Sequence, residues 1–242
     1  MKTLAAVLAF DTATDVTHLG LMHAGGSHCT TLPGGAQASA LLIQACLDAL
    51  AQAGLRLQDL DAIAFGSGPG SFTGLRTACA VAQGLAFGVQ IPVLAVPTLM
   101  AVAFDAHQRS GATRVLAAMD ARMGEVYAAY YEFSSNKCNE YGDTQAILPE
   151  KLVLGTAQAI AGNAHLAYAH ALPAACLAVA VNAAPTGLAL LAAAQQMWSE
   201  GRATKPEHAR PLYVRNNVAK TEAERADEKA PKQAPEQAAQ AA

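Results

Sequence analysis

The chain has 242 residues, enough for one large domain or two of roughly 100 residues each, and 52% of them are apolar, so a sizeable core is available. Its formal net charge is −3, with Lys and Arg scattered rather than clustered, which argues against a protein that grips nucleic acid by itself. Five widely spaced cysteines with no CxxC pair indicate neither a zinc site nor a disulfide framework, and reduced thiols point to a cytoplasmic protein.

Leu4 to Phe10 is a compact apolar run that meets Asp11 directly. No small-residue cleavage site follows, so it reads as a buried strand rather than a signal peptide. No apolar run is long enough to span a bilayer without interruption. "DTATD" turns the chain, and Val16 to His23 alternates as a second strand that the Gly25-Gly26 pair would end. Ala38 to Ala53 carries apolar residues at helical spacing, with Gly54 placed as its cap. "DAIAFGSGPG" is a strand running into a glycine-rich loop, and Thr73 to Phe87 is a helix ending at Gly88. "IPVLAVPT" is a short strand and Leu99 to Arg109 a further helix.

At Gly111 the pattern restarts. "AAVLAFDTATD" and "RVLAAMDARMG" each describe a strand that delivers one Asp, Asp11 or Asp120, to a hairpin turn. With the alternation of strands and helices, this favours a duplicated α/β architecture of two similar lobes, 1–109 and 110–218. "ILPEKLV" and "AHALPAACLAVAVN" supply strands or short helices, Thr186 to Glu200 is a helix, and Pro206 to Val218 ends in a short extended piece. From Ala219 the chain is charged, Pro-interrupted and without large apolar residues, so 219–242 is expected to be a solvated, disordered tail.

The loop "GSGPGSFTGLR", Gly66 to Arg76, admits two readings. A strand, glycines and a helix N-terminus can gather backbone N–H groups around an anion, with Asp11, Gly68, Gly70, Ser71 and Thr73 as contacts to a nucleotide phosphate. The loop matches neither GxxxxGK[ST] nor GxGxxG. In the second reading the glycines bring backbones together, and Ala78, Ala82 and Ala86 form a smooth ridge for close packing; this reading is preferred. Asp11 and Asp120 could sit near phosphate and Mg²⁺, but an Asp at a strand-to-turn junction more often accepts backbone N–H bonds. Arg122 and Glu125 straddle a turn as a local ion pair or a partner contact. The seven histidines include no HxxxH pair, so no metal site is expected, and no nucleophile elbow is present.

"AFGSGPGSFTGLRTACAVAQGLAFG", "GATRVLAAMDARMGEVYAAYYE" and "YVRNNVA" together closely resemble the bacterial TsaB (YeaZ) family, from about Leu4 to Val218. The resemblance implies an actin-like ATPase (hsp70/actin-like) fold of two lobes. It also implies a non-catalytic role in forming N6-threonylcarbamoyladenosine at position 37 of tRNAs that read ANN codons. The catalytic partner would be a TsaD-like subunit, joined by a TsaE-like ATPase, with a homodimer when the protein is alone. It implies no cofactor of the protein's own, leaves room for ATP or ADP at the shared interface, and gives tRNA contact only through other subunits. Many family members carry a His just before the helix near Ser39, where this chain has "GGAQASALL".

The partner face is expected on the helices Ser39 to Ala53 and Thr73 to Phe87, through Leu42, Cys46, Leu75, Ala78, Val81, Ala82 and Leu85. A bulky charge at Ala82 should then break pairing without unfolding the monomer. The competing expectation is a small ATP-dependent phosphotransferase of actin-like fold, like a sugar or acetate kinase, using Asp11, the loop and Asp120. A metallopeptidase reading lacks the metal histidines.

Overall fold

A computed structural model describes residues 4–135 and 137–215 of the chain. The tail and the end of the "YVRNNVA" motif, from 216 onward, lie outside the described residues.

Three strands open the chain: β1 (Val7–Asp11), β2 (Val16–His23) and β3 (Gly26–Pro33). Then follow α1 (Ala38–Gln52), β4 (Ala62–Gly68), α2 (Phe72–Val89), β5 (Val93–Pro97) and α3 (Thr98–Ser110). The second half repeats the scheme with β6 (Arg114–Asp120), β7 (Val126–Ser134) and β8 (Lys137–Ile147), then β9 (Ala159–Ala161), α4 (Ala164–Ala167), α5 (Ala174–Leu177), β10 (Ala180–Val181) and α6 (Gly187–Ser199).

The two five-stranded sheets have orders β3-β2-β1-β4-β5 and β10-β9-β6-β7-β8. Reversing the second gives the first, strand for strand. In each sheet the first three strands are antiparallel and the last two join in parallel. Parallel neighbours require crossover connections, and the helices provide them. The duplication expected from the two Asp-ended hairpins is therefore present in the sheet topology.

The layers interlock. α3 follows the first sheet but packs against β6 of the second, while α6 follows the second sheet and packs against β1 and β2 of the first. One apolar cluster runs through both lobes, joining Val7, Ala9 and Ala64 to Leu99, Val102, Val115, Ala117, Leu190 and Met197. Sheet strands buried on both faces read as unbroken apolar runs, as "VLAF" and "AIAF" do here. A second cluster lies between the first sheet and α1 and α2, and a third on the outer face of the second sheet.

β2 ends at His23, ahead of the Gly25-Gly26 turn as expected, but the turn leads into a strand that was not anticipated, β3, at the sheet edge with largely exposed side chains. β8, also at an edge, was not anticipated. In the C-terminal segment, where a short extended piece was expected, the Leu212 N–H donates to the Ser67 carbonyl at 2.7 Å. α2 begins at Phe72 with the Ser71 hydroxyl as cap and runs through Gly88 to Val89, closing with Gln90 in the left-handed region.

Candidate functional site

The glycine loop packs against the β1–β2 turn. A β-carbon on Gly66 would fall on the Asp11 carboxylate, and one on Gly74 would fall on the Thr12 carbonyl oxygen. Gly70 is equally tight against Ala13, and Gly68, at φ +116°, lies beneath the Leu212 carbonyl. Only a residue without a side chain fits such approaches. Three of the loop's backbone donors are spent within the protein as well. The Ser71 N–H donates to the Ala13 carbonyl at 2.9 Å, and the Gly68 N–H to the Thr98 hydroxyl at 3.2 Å. The Ser71 hydroxyl accepts from the Gly74 N–H.

Asp11 is sealed under this loop with no exposed surface. Its carboxylate accepts the Ala13 N–H at 2.6 Å and the Thr98 hydroxyl at 2.7 Å. Burial pushes its pKa from 3.8 up to about 6, against the pull of those two hydrogen bonds. This is the turn-capping role, and it ties β1 to the start of α3.

Asp120, its counterpart, faces a cleft between the lobes of about 300 Å³, lined also by Ser71, Met119, Arg122, Tyr127 and Arg215. Asp120 accepts from the Arg122 N–H and the Tyr168 hydroxyl, both at 2.7 Å. The Arg122 guanidinium bridges the cleft, 3.0 Å from Asp15 and 3.1 Å from Asp120. The expected Arg122–Glu125 pair is absent, because Glu125 is engaged by Arg215 instead. The residues expected around a phosphate are not gathered: Gly70 and Ser71 line the cleft, Asp11 and Gly68 are buried, and Thr73 lies on the outer surface with α1. Among the described residues, no three His, Cys, Asp or Glu side chains are placed to share a metal ion.

The outer layer of the first lobe is α1 and α2. Leu42, Cys46, Leu75, Ala78 and Ala82 all point into the core, and Val81 and Leu85 are half-buried. Burial pushes the Cys46 thiol up to about 12. The expected partner residues are thus corrected: the alanine ridge seats α2 on its own sheet, and the five buried side chains cannot reach a partner. The exposed face consists of Leu41, Ile43 and Leu47 of α1, at 39%, 46% and 42% exposure, with Phe72 and Phe87 of α2. Between them runs a groove of about 470 Å³ lined by Ser39, Phe72, Thr73, Arg76, Thr77 and Val81, among others. The exposed apolar side chains are thus gathered on one outer face, shared by two neighbouring helices.

The C-terminal segment straps this layer. Gln83 holds the Pro206 carbonyl at 3.0 Å, and Tyr213 packs its ring 5.3 Å from that of Phe72. Arg76 lies 3.8 Å over the Phe72 ring and donates to the Tyr213 hydroxyl. Nothing in the spacing of these residues predicts the contact, since they are separated by more than a hundred positions. No helix of the described residues is long and apolar enough to cross a membrane.

Residues 35–236 match the family model of TsaD, tRNA N6-adenosine threonylcarbamoyltransferase. The tRNA threonylcarbamoyladenosine biosynthesis protein TsaB of Escherichia coli is 37% identical over 226 residues, which cover 88% of this chain and 96% of that protein. The protein of the same name from Haemophilus influenzae is 43% identical over 122 residues, 50% of this chain and 51% of that one. YeaZ from Pseudomonas aeruginosa superposes with a TM-score of 0.80 at 36% identity, covering 87% of this chain and all of that one. Shared sequence and shared architecture agree: the chain belongs to the TsaB (YeaZ) family, and its two lobes are those of the actin-like ATPase fold.

Proposed function

We infer that this protein is a non-catalytic subunit in the formation of N6-threonylcarbamoyladenosine at position 37 of tRNAs that read ANN codons. It pairs through the exposed face of α1 and α2 with a TsaD-like subunit that performs the transfer, and a TsaE-like ATPase joins the pair. Without that partner it self-associates through the same face, and other subunits hold the tRNA. The names borne by its relatives supply the pathway.

The observation that carries the non-catalytic reading is the sealing of Asp11. A phosphotransferase of this fold would need that carboxylate beside the phosphates, whereas here both of its oxygens are occupied and the loop above it is packed shut. The apolar outer face of α1 and α2 supports the pairing role. The protein's part is then positional, a preformed two-helix platform on a rigid double sheet. It needs no cofactor of its own; ATP or ADP would sit at the shared interface if the complex uses it.

The test is to mix the protein with its TsaD homologue and measure mass by light scattering, with and without ATP. A 1:1 complex at micromolar concentration is the expected result. The absence of a complex in both conditions, or turnover of Mg-ATP by the isolated protein, would overturn the reading.

A further inference from the structure

Each sheet has two edges, and among the described residues all but one are closed or blunted. At β5 the Val93 N–H donates to the Thr204 carbonyl at 2.8 Å, and the Thr204 N–H returns a bond to the Val93 carbonyl at 2.9 Å. β10 is only two residues long. β8 exposes Lys137, Glu140 and Asp143 and shifts register against β7. Short length, charge and irregular register are the usual devices against edge-to-edge pairing. β3 has none of them: its eight residues include no Lys, Arg, Asp or Glu, and it pairs with β2 without a break from Gly26 to Pro33.

The register shows which backbone groups β3 offers. In an antiparallel pair, alternate residues turn both N–H and C=O toward the same neighbour. Just beyond β3 the Gly34 N–H donates to the Asp15 carbonyl at 2.9 Å. Steps of two from there assign Leu32, Thr30, His28 and Gly26 to β2. Ser27, Cys29 and Thr31 therefore turn their N–H and C=O groups outward, and all three are exposed. Among the described residues no strand lies beyond them.

An exposed leucine flanks this edge on each face of the sheet. On one face, α6 brings Gly187 against the Cys29 sulfur and Gln195 against the Met22 sulfur. Leu188 shares the helix side of Gln195, seven residues on, and so stands beside β3. On the other face, α1 packs across β2 and β3. Leu42 points inward and Ser39 toward α2, so steps of about 100° per residue put Leu41 on the flank away from α2.

The edge is complementary to itself. A two-fold axis normal to the sheet at Cys29 lays β3 of a second copy antiparallel beside the first. Cys29 then faces Cys29, and Ser27 of each copy faces Thr31 of the other. Every outward N–H and C=O of these residues finds a partner, and no charged side chains meet. Sliding either way by two residues leaves a group unpaired in each copy, because Pro33 has no N–H to give. With strands about 4.8 Å apart and α1 seated over β2 and β3, the two α1 helices lie about 10 Å apart, an ordinary packing distance, with Leu41 between them. A strip about 26 Å long and about 20 Å tall, through strand and helix layers, covers on the order of 500 Å² per copy, near the lower bound for a specific interface.

We propose that β3 is a pairing edge for a second copy of this chain, which joins the first sheets of two molecules into one continuous sheet centred on Cys29. The contact leaves Ile43, Leu47, Phe72 and Phe87 uncovered. It is therefore distinct from the α1 and α2 face, and a partner on that face leaves it available.

The test is oxidation with diamide over a dilution series, read by non-reducing electrophoresis. Facing residues of a bonded antiparallel pair have Cα atoms about 5.5 Å apart, within the range a disulfide spans. Cys29 is exposed, whereas Cys46, Cys79, Cys138 and Cys176 are buried. The parent protein should form a covalent dimer, and Cys29→Ser should abolish it. In the Cys29→Ser background, Ser27→Cys or Thr31→Cys alone should cross-link at least about tenfold more slowly than the two combined, since each position faces the other and not itself. Thr31→Pro removes an outward donor and leaves the ladder to β2 intact, so it should slow cross-linking at Cys29 about tenfold with an unchanged urea midpoint. Ala80→Glu, which charges the α1 and α2 face, should leave the cross-link as in the parent protein. A parent protein that does not cross-link would overturn the pairing, as would single variants that cross-link as fast as the pair. So would a cross-link that survives Thr31→Pro, or one that is lost with Ala80→Glu, which would assign self-association to the helices instead.

Discussion

In the first lobe the chain between β4 and β5 forms the 18-residue α2; in the second, between β9 and β10, it forms two helices of four residues each. Likewise α1 has no full counterpart between β8 and β9, where a single 3₁₀ turn at Pro149–Lys151 stands instead. The strands and the two crossing helices, α3 and α6, are matched between lobes. Duplication has therefore kept what the shared core requires and let the outer layer diverge. The long helices with exposed leucine and isoleucine are on one side only, and that asymmetry places the candidate interface. The two hairpin acids diverge in the same sense: Asp11 is enclosed beneath the glycine loop, and Asp120 borders the cleft.

The strongest way to break this comparison is to charge the two sides of α2. Ala82 is fully buried, so Ala82→Glu should cost at least about 3 kcal/mol in urea denaturation, because an unpaired carboxylate enters the core. Ala80 is exposed on the same helix, and Ala80→Glu should change stability by less than about 0.5 kcal/mol while abolishing co-elution with the TsaD homologue. Equal stability losses at the two positions would show that the helix has been oriented wrongly.

A smaller effect should come from the enclosed acid of the first lobe. Asp11 has a folded-state pKa of about 6 against 3.8 in the unfolded chain. Its contribution is therefore fully present below pH 4 and is lost as pH rises through 6, by on the order of 3 kcal/mol. Asp11→Asn, which keeps the shape and removes the titration, should flatten the stability profile between pH 4 and 7. Unchanged slopes for the Asp11 variant would mean that its carboxylate is hydrated.

The smallest effect concerns the arginine across the cleft. Its contacts with Asp15 and Asp120 involve largely exposed groups on the Arg122 and Asp15 sides. Arg122→Ala should cost under about 1 kcal/mol, and the loss should shrink in high salt. A larger, salt-independent loss would give the bridge a structural weight that its exposure does not suggest.

The sequence made the buried strands and the repeated Asp hairpins plain, because strands covered on both faces are continuous apolar runs. β3 and β8 were hidden for the opposite reason: edge strands such as "GSHCTTLP", exposed on both faces, lose the alternation that marks a half-buried strand. The helices were visible but their orientation was not. In α1 and α2, alanine, leucine and isoleucine occur around the whole circumference, so Leu42 inside and Ile43 outside are indistinguishable by type. The packing role of the glycine loop was legible from its mismatch to phosphate-binding patterns. What it packs against was not, since Thr12, Ala13 and Leu212 are brought there by the fold.

The exchange of helices between the sheets has a consequence for how the chain can be divided. α3 is made by the first half and serves the second, and α6 is made by the second half and serves the first. A cut in the short link between Ser110 and Arg114 would not release two self-sufficient pieces. Each fragment would carry a helix parted from the sheet it mainly covers, and a sheet left largely bare on its inner face. The two pieces would be obliged to find each other, as the halves of a split reporter do, and neither would hold its native shape without the other.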